Sequence, residues 1–364
     1  MEEKTITVAY VIDSLSFGGA ERQLRLLVPA LPERFKPVVI SLSEEIRPFG
    51  SELLSGGIEV IALKRRHNAE VRRLWQTARI IRARRADIVH GFLDASNAYA
   101  FVAGRALGKP VMLSFQSSAL RVTGVMGSAL SAMMRRADSV LVNSKAGAEY
   151  LRRRVGVSDH RILRIPNWID PESAGPARDV PRPGAPPIIG FVGRFEPPKR
   201  LDLLVDVFEK VAAIVPDARL VLQGDGSERG SIERRVARSN LSGRVEFVPA
   251  DPEVGRTLAR LHAFVMTSAF EGLPNSAIEA LSRGVPIVST PVGDLGELVI
   301  EGKTGAFFDS EEPGAMAAKL AGVLADRALM ENAAILGPRL VEEKFSIHRA
   351  VKRLTVEYEA LIGR

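Results

Sequence analysis

Residues 165–187 read IPNWIDPESAGPARDVPRPGAPP, and the next seven read IIGFVGR. The first stretch is rich in Pro and Gly and has no periodicity, which makes it a linker between domains. The second is an apolar, β-branched run that starts a strand–helix pattern afresh. Upstream, similar runs occur at 6–12, 36–42, 58–63, 86–92, 110–115 and 138–144, separated by amphipathic stretches. Downstream they recur at 188–194, 218–224, 244–249, 263–268, 285–290 and 304–309. Strand–helix–strand repetition of this kind predicts a parallel, doubly wound α/β sheet in each half. The expected division is a first Rossmann-like domain over 1–170, a second over 171–345, and a closing helix over 346–364 that packs back towards the first. Two such halves joined by a linker are expected to leave a ligand cleft between them.

The 364 residues suffice for two domains with proper cores. There is no cysteine, which excludes disulfides, Cys-ligated zinc and thiol nucleophiles and suits a reducing compartment. The five histidines, His67, His90, His160, His262 and His348, have no metal-ligand spacing, so no protein-held metal is expected. The start, MEEKTITVAYVID, is acidic and then strand-like, unlike a signal peptide. No apolar run reaches the ~18 residues of a membrane span. A cytoplasmic protein is the expectation.

Net charge is +7, and the excess of base lies in the first half. Segment 64–85, KRRHNAEVRRLWQTARIIRARR, holds nine basic residues and one acidic. Its plainest reading is a solvated basic helix whose few apolar residues face a core. The sharper alternative is a peripheral patch for anionic lipid, with Trp75 at the headgroup level if it is exposed. Nucleic acid is not expected as a partner, because aromatic interleaving is sparse.

Stretch 270–281, FEGLPNSAIEAL, places Glu271 in a Gly/Pro turn and Glu279 eight residues later. Ser276 and Glu279 have the form of a capping box, which alone would explain Glu279. Glu271 stands just before a helix, where unpaired N–H groups and the dipole attract anions. Each half also has a Gly-rich turn after its first strand. In SFGGAERQL (16–24), Gly18 and Gly19 open a helix, and by themselves they read as a tight connection. In GFVGRFEPPKRLDLL (190–204), Arg194 and Lys199 precede a helix at the sheet edge where doubly wound folds bind phosphates. Two cations and a helix mouth in one domain suit a diphosphate.

The chain resembles the retaining nucleotide-sugar glycosyltransferases of GT-B fold, family four, over nearly its whole length. GGAER, VGRFEPPK, LQGDGSER (222–229), FEGLPNSAIEALSRGVPIVST (270–290) and VGDLGELVIEGKTGAFF (292–308) carry the resemblance in order. It implies a GT-B architecture and transfer of a hexose from a UDP- or GDP-sugar to a glycan or lipid-linked acceptor, with anomeric retention and without a metal or other cofactor. Arg194, Lys199 and Glu271 would be the catalytic residues, Glu271 holding donor-sugar hydroxyls. Gly18, Gly19, Gly272, Leu273, Asn275, Glu279 and Val248 would bind donor, Glu279 through the ribose hydroxyls.

The chain departs from the family pattern at two places. Gln116 stands where many members have a histidine, and it cannot take a proton at neutral pH. It and His90 remain candidate sugar or acceptor contacts, although a core-edge role is the plainer reading of His90. Arg200 follows Lys199 where a glycine is frequent, either adding charge near phosphate or pointing to solvent. The rival readings are a nucleotide-sugar epimerase of the same fold and a non-enzymatic basic module for carbohydrate or nucleic acid.

Overall fold

The computed structural model describes residues 5–64, 71–116, 124–170, 184–251 and 253–363. Most of the linker, 171–183, and part of the basic segment, 65–70, lie outside the described residues. The chain divides into two compact units, Met1–Trp168 with Ile347–Arg364, and Ile169–Ser346.

The first unit is built on seven parallel strands: β1 (Ile6–Ile12), β2 (Phe35–Ser41), β3 (Glu59–Ala62), β4 (Ile88–Phe92), β5 (Val111–Phe115), β6 (Ser139–Val142) and β7 (Ile162–Arg164). Their order is β3-β2-β1-β4-β5-β6-β7, with the winding reversed between β1 and β4. Alternation along β1 shows why both faces must be covered. Ile6, Val8, Tyr10 and Ile12 enter one buried cluster, and Ala9 and Val11 enter the other. Helix Gly19–Leu27 and the terminal helix Ile347–Ile362 cover the first face. Helices Val71–Ala83, Asp94–Ala106 and Gly124–Arg136 cover the second.

The terminal helix is held by a buried polar chain as well as by apolar packing. Tyr358 Oη lies 3.0 Å from Tyr10 Oη and 2.7 Å from His90 Nδ1, and His90 Nε2 lies 2.7 Å from Ser114 Oγ. Nearby, Gln23 clamps the backbone of Trp168, donating to its carbonyl at 2.9 Å and accepting from its N–H at 2.9 Å.

The second unit repeats the plan with β8 (Ile188–Val192), β9 (Arg219–Gln223), β10 (Val245–Val248), β11 (Ala263–Met266), β12 (Ile287–Ser289) and β13 (Gly305–Phe307). The order is β10-β9-β8-β11-β12-β13, again parallel, with the reversal between β8 and β11. All twelve expected strands are present. The added one, β7, is three half-buried residues at a sheet edge, too short to show a pattern of its own.

One local expectation is corrected. Helix Asn275–Ser282 takes Pro274 in its N-cap place, with φ −73° and ψ 130°, so Ser276 lies inside the first turn. Pro274 already has the extended backbone that precedes a helix, and it moves the start one residue ahead of the serine. Ser276 and Glu279 therefore form no capping box, and Glu279 needs another explanation.

A candidate sugar-nucleotide site

In the second unit the loops after β8 and β11 meet where the strand order reverses, which is where doubly wound sheets bind ligands. Residues 193–200 leave β8 and residues 267–274 leave β11. Their backbones are stitched together. Ala269 N–H donates to Pro198 O at 2.9 Å, and Thr267 Oγ1 donates to Lys199 O and Arg200 O at 3.1 and 2.9 Å. Thr267 and Ser268 are fully buried.

This stitching brings two of the expected residues into contact. Lys199 Nζ lies 2.5 Å from Glu271 Oε1, and Ser268 Oγ donates to the same oxygen at 2.7 Å. The Lys199 side chain is 20% exposed and that of Glu271 10%, so the pair is mostly desolvated but reachable. Arg194 lies on the same loop, exposed, and enters no ion pair among the described residues. A carboxylate held on one oxygen by two donors keeps its second oxygen and further lone pairs able to accept, which suits hydroxyl groups, and a lysine and an arginine on one loop suit an anionic ligand.

The Glu271 turn is backed by a third loop. Asp294 N–H donates to Gly272 O at 2.9 Å. Gly293, at φ +59°, lies so close that a Cβ there would fall 2.4 Å from Gly272 O and 2.5 Å from Glu271 O. Leu273 sends its side chain into the core. Helix Asn275–Ser282 begins at this turn without a side-chain cap. Glu279 is buried within it, and Arg283, four residues on, feels its charge. Burial lowers the Arg283 pKa, while Glu279 and then Glu253 oppose that shift. Val248, half-buried at the end of β10, accepts from Gly224 N–H at 3.1 Å.

The remaining expected residues belong to the first unit. Gly18 holds the N-cap place of helix Gly19–Leu27 in extended backbone, and a Cβ there would meet the Glu21 carboxylate. Gln116 is half-buried just after β5. His90 is fully buried on β4 with both ring nitrogens engaged, and burial lowers its pKa to about 3. It is a core histidine, and its expectation as a ligand contact is corrected: no ring nitrogen is left to offer.

Two further findings concern charge. Arg73 is buried, donating to Leu42 O at 2.6 Å with its guanidinium 5.4 Å from the Tyr99 ring centroid, so it is no part of a basic surface. Trp75 is 60% exposed, and Arg79 stacks over its ring at 5.6 Å. Sequence reasoning did not single out Ser268, Thr267, Gly293 or Glu311. Nothing in the pattern around them marks a contact that only the meeting of separate loops creates. Among the described residues no group of three His, Asp or Glu could hold a metal, and no helix is long and apolar enough to cross a membrane.

Known proteins share the family and the fold. Residues 17–173 match the family Glycosyltransferase Family 4, and residues 177–337 match Glycosyl transferases group 1. The Vi polysaccharide biosynthesis protein VipC/TviE of Salmonella typhi is 34% identical over 156 residues, which are 40% of this chain but 27% of that longer protein. The 2-deoxystreptamine glucosyltransferase of Streptomyces kanamyceticus is 26% identical over 77% of this chain and 79% of its own length. Among solved structures, Anabaena HepE in complex with UDP and glucose superposes with a TM-score of 0.83 at 18% identity, over 98% of this chain and 99% of that one. With two doubly wound units and both family matches in sequence order, the chain belongs to the family-four glycosyltransferases of GT-B fold.

Proposed function

We propose that this glycosyltransferase moves a hexose from a UDP- or GDP-sugar to a glycan or lipid-linked acceptor with retention of anomeric configuration. The carrying observation is the Lys199–Glu271 contact at the switch point of the second unit. In the proposed reaction the bond from the anomeric carbon to the phosphate oxygen breaks, its electron pair staying with phosphate. Lys199 and Arg194 meet that growing negative charge, aided by backbone N–H groups of the turn around Gly272, Leu273 and Asn275 and by the start of helix Asn275–Ser282. Glu271 accepts from hydroxyls of the donor sugar, and Glu279 from those of the ribose. The acceptor oxygen attacks on the face that phosphate leaves, and its proton passes to the departing phosphate oxygen. No protein base is then needed, and none is assigned. Gly18 and Gly19 belong to the first unit, which is proposed to carry the acceptor.

Two relatives' names differ on the acceptor: one is a polysaccharide biosynthesis protein, which supports a glycan, and the other is a 2-deoxystreptamine glucosyltransferase, which supports sugar transfer but to an aminocyclitol. HepE was solved with UDP and glucose, which favours testing uridine donors first. The test is a thermal-shift series with UDP, GDP, UDP-glucose and GDP-mannose. A ligand at 100 times its Kd stabilises by about 2.7 kcal/mol, so the matching base stands apart from the other. Turnover should survive EDTA, because the cations named above supply the charge. A Mg²⁺-reversible loss would assign that task to a metal instead.

A peripheral location at anionic lipid is proposed with it. On helix Val71–Ala83 the exposed residues include Val71, Arg72, Trp75, Arg79 and Arg82, so an apolar end and a basic stripe share the outward face. Trp75 is exposed, as headgroup insertion requires.

A further inference from the structure

We propose that Arg200 is a positioning residue that holds Lys199 and Glu271 in register for transfer; the inference rests on the reading of that pair as the donor site. Its guanidinium is not free in solvent but is held across the two loops that build the site. Nε donates to Thr267 O at 2.6 Å and Nη2 to Ser268 O at 3.3 Å. Nη1 and Nη2 together meet both oxygens of Glu311, at 2.9 and 3.0 Å. Glu311 lies beyond β13, so one side chain spans three separate loops.

The backbone supports the same role. Arg200 has φ 49° and ψ 52°, the left-handed region that side chains other than glycine and asparagine rarely occupy. That conformation ends the short turn Pro197–Lys199 and turns the carbonyls of Lys199 and Arg200 towards Thr267 Oγ1. A non-glycine residue persists there only when its surroundings over-determine it, and the five side-chain and hydroxyl contacts to Thr267, Ser268 and Glu311 do so. Ser268 in turn donates to Glu271, and Lys199 directly precedes Arg200 in the chain. Moving the guanidinium should therefore shift both partners of the ion pair, although its own hydrogen bonds go to Thr267, Ser268 and Glu311.

The Glu311 arm is the tunable part. Its carboxylate is exposed, and the Arg200 guanidinium lowers its pKa through hydrogen bonding and charge. Removing Glu311 leaves the bonds to Thr267 and Ser268 in place, so its loss should cost less than the loss of Arg200.

The test compares Arg200→Gly, Arg200→Lys, Glu311→Gln and Lys199→Ala in the whole chain. Glycine keeps the left-handed backbone and deletes the clamp, so the fold should hold and the melting temperature stay near wild type. Hydrogen exchange at the Ala269 amide and across 267–271 is expected to rise ~10-fold in Arg200→Gly, because these amides then open locally. Using whichever of UDP-glucose and GDP-mannose the wild type hydrolyses, kcat should fall ~10-fold with KM little changed, as a misplaced catalytic group costs rate more than binding. Arg200→Lys should fail to restore it, since an ammonium cannot make the fork. Glu311→Gln should give a smaller fall. Wild-type exchange and kcat in Arg200→Gly would overturn the proposal, as would a loss of activity that only tracks the folded fraction. Lys199→Ala separates the two levels. If it retains activity the donor-site reading fails, and if it is inactive while Arg200→Gly is normal, only the positioning role fails.

Discussion

Lys199 Nζ and Glu271 Oε1 are 2.5 Å apart although 72 positions separate them in the chain. Each lies on the loop of a different strand, β8 and β11, and these strands flank the reversal of the second sheet. The contact is thus a product of winding order, which brings two βα loops together at one edge. Its surroundings are mostly desolvated, so charge–charge and hydrogen-bond terms there count for more than at an open surface.

The backing of the Glu271 turn can be tested through Gly293. Alanine at this left-handed position would place Cβ 2.4 Å from Gly272 O, a backbone atom that cannot move aside cheaply. Gly293→Ala should destabilise the protein by ~1–3 kcal/mol and lower turnover more than donor affinity. Urea unfolding together with steady-state kinetics measures both. An unchanged unfolding midpoint would contradict the tight backing described.

His90 gives the first unit a pH dependence of defined sign. Burial lowers its folded pKa to about 3 from 6.5. As pH falls below about 6.5 the unfolded chain takes up the proton and the folded chain does not. The contribution to stability is therefore complete above that pH and is lost on acidification towards pH 3, by about 1.4 kcal/mol per pH unit. Between pH 6.5 and 5.0 the wild type should lose about 1.6 kcal/mol more than His90→Gln, as read from urea midpoints. Equal losses would contradict a neutral His90, as would an imidazolium signal from it in NMR spectra at pH 5.

Lipid docking can be tested without knowing the acceptor. Co-sedimentation with phosphatidylglycerol vesicles should be strong at low salt and weak at high salt. Replacing Arg72, Arg79 and Arg82 by Gln should weaken it ~10²-fold at about 1 kcal/mol for each charge. Arg73 is left intact, because it is buried against Leu42 and Tyr99 and its loss would disturb the fold. Equal, negligible binding by both proteins would remove the membrane from the proposal.

The strands were legible because each carries an apolar run long enough to stand out, and β7 was not because three residues show no period. Arg194, Lys199 and Glu271 stand out in the sequence because charged residues at strand ends and helix mouths are chemically conspicuous, while a ligand role for Glu279 follows only from the family resemblance. The capping box was misread since Ser276 and Glu279 have the right spacing, while Pro274 fixes the helix start. His90 looked ambiguous at a strand end, and only the return of the terminal helix, bringing Tyr358 to its Nδ1, decides it. Arg200 was hardest to read. Its partners Thr267, Ser268 and Glu311 lie 67, 68 and 111 positions away, and no local pattern reports a clamp made at that range.

The most direct measurement is the turnover of a sugar nucleotide by Glu271→Gln and Lys199→Ala beside the wild type, with melting temperature as the check on folding. Glutamine keeps the shape of Glu271 but removes the charge proposed to accept sugar hydroxyls, and alanine removes the cation proposed to meet the leaving phosphate. Each variant should stay folded and lose ~10²-fold or more in kcat, because both interactions strengthen as charge separates. Near-wild-type hydrolysis or transfer by both folded variants would contradict the assignment of this pair as the donor site.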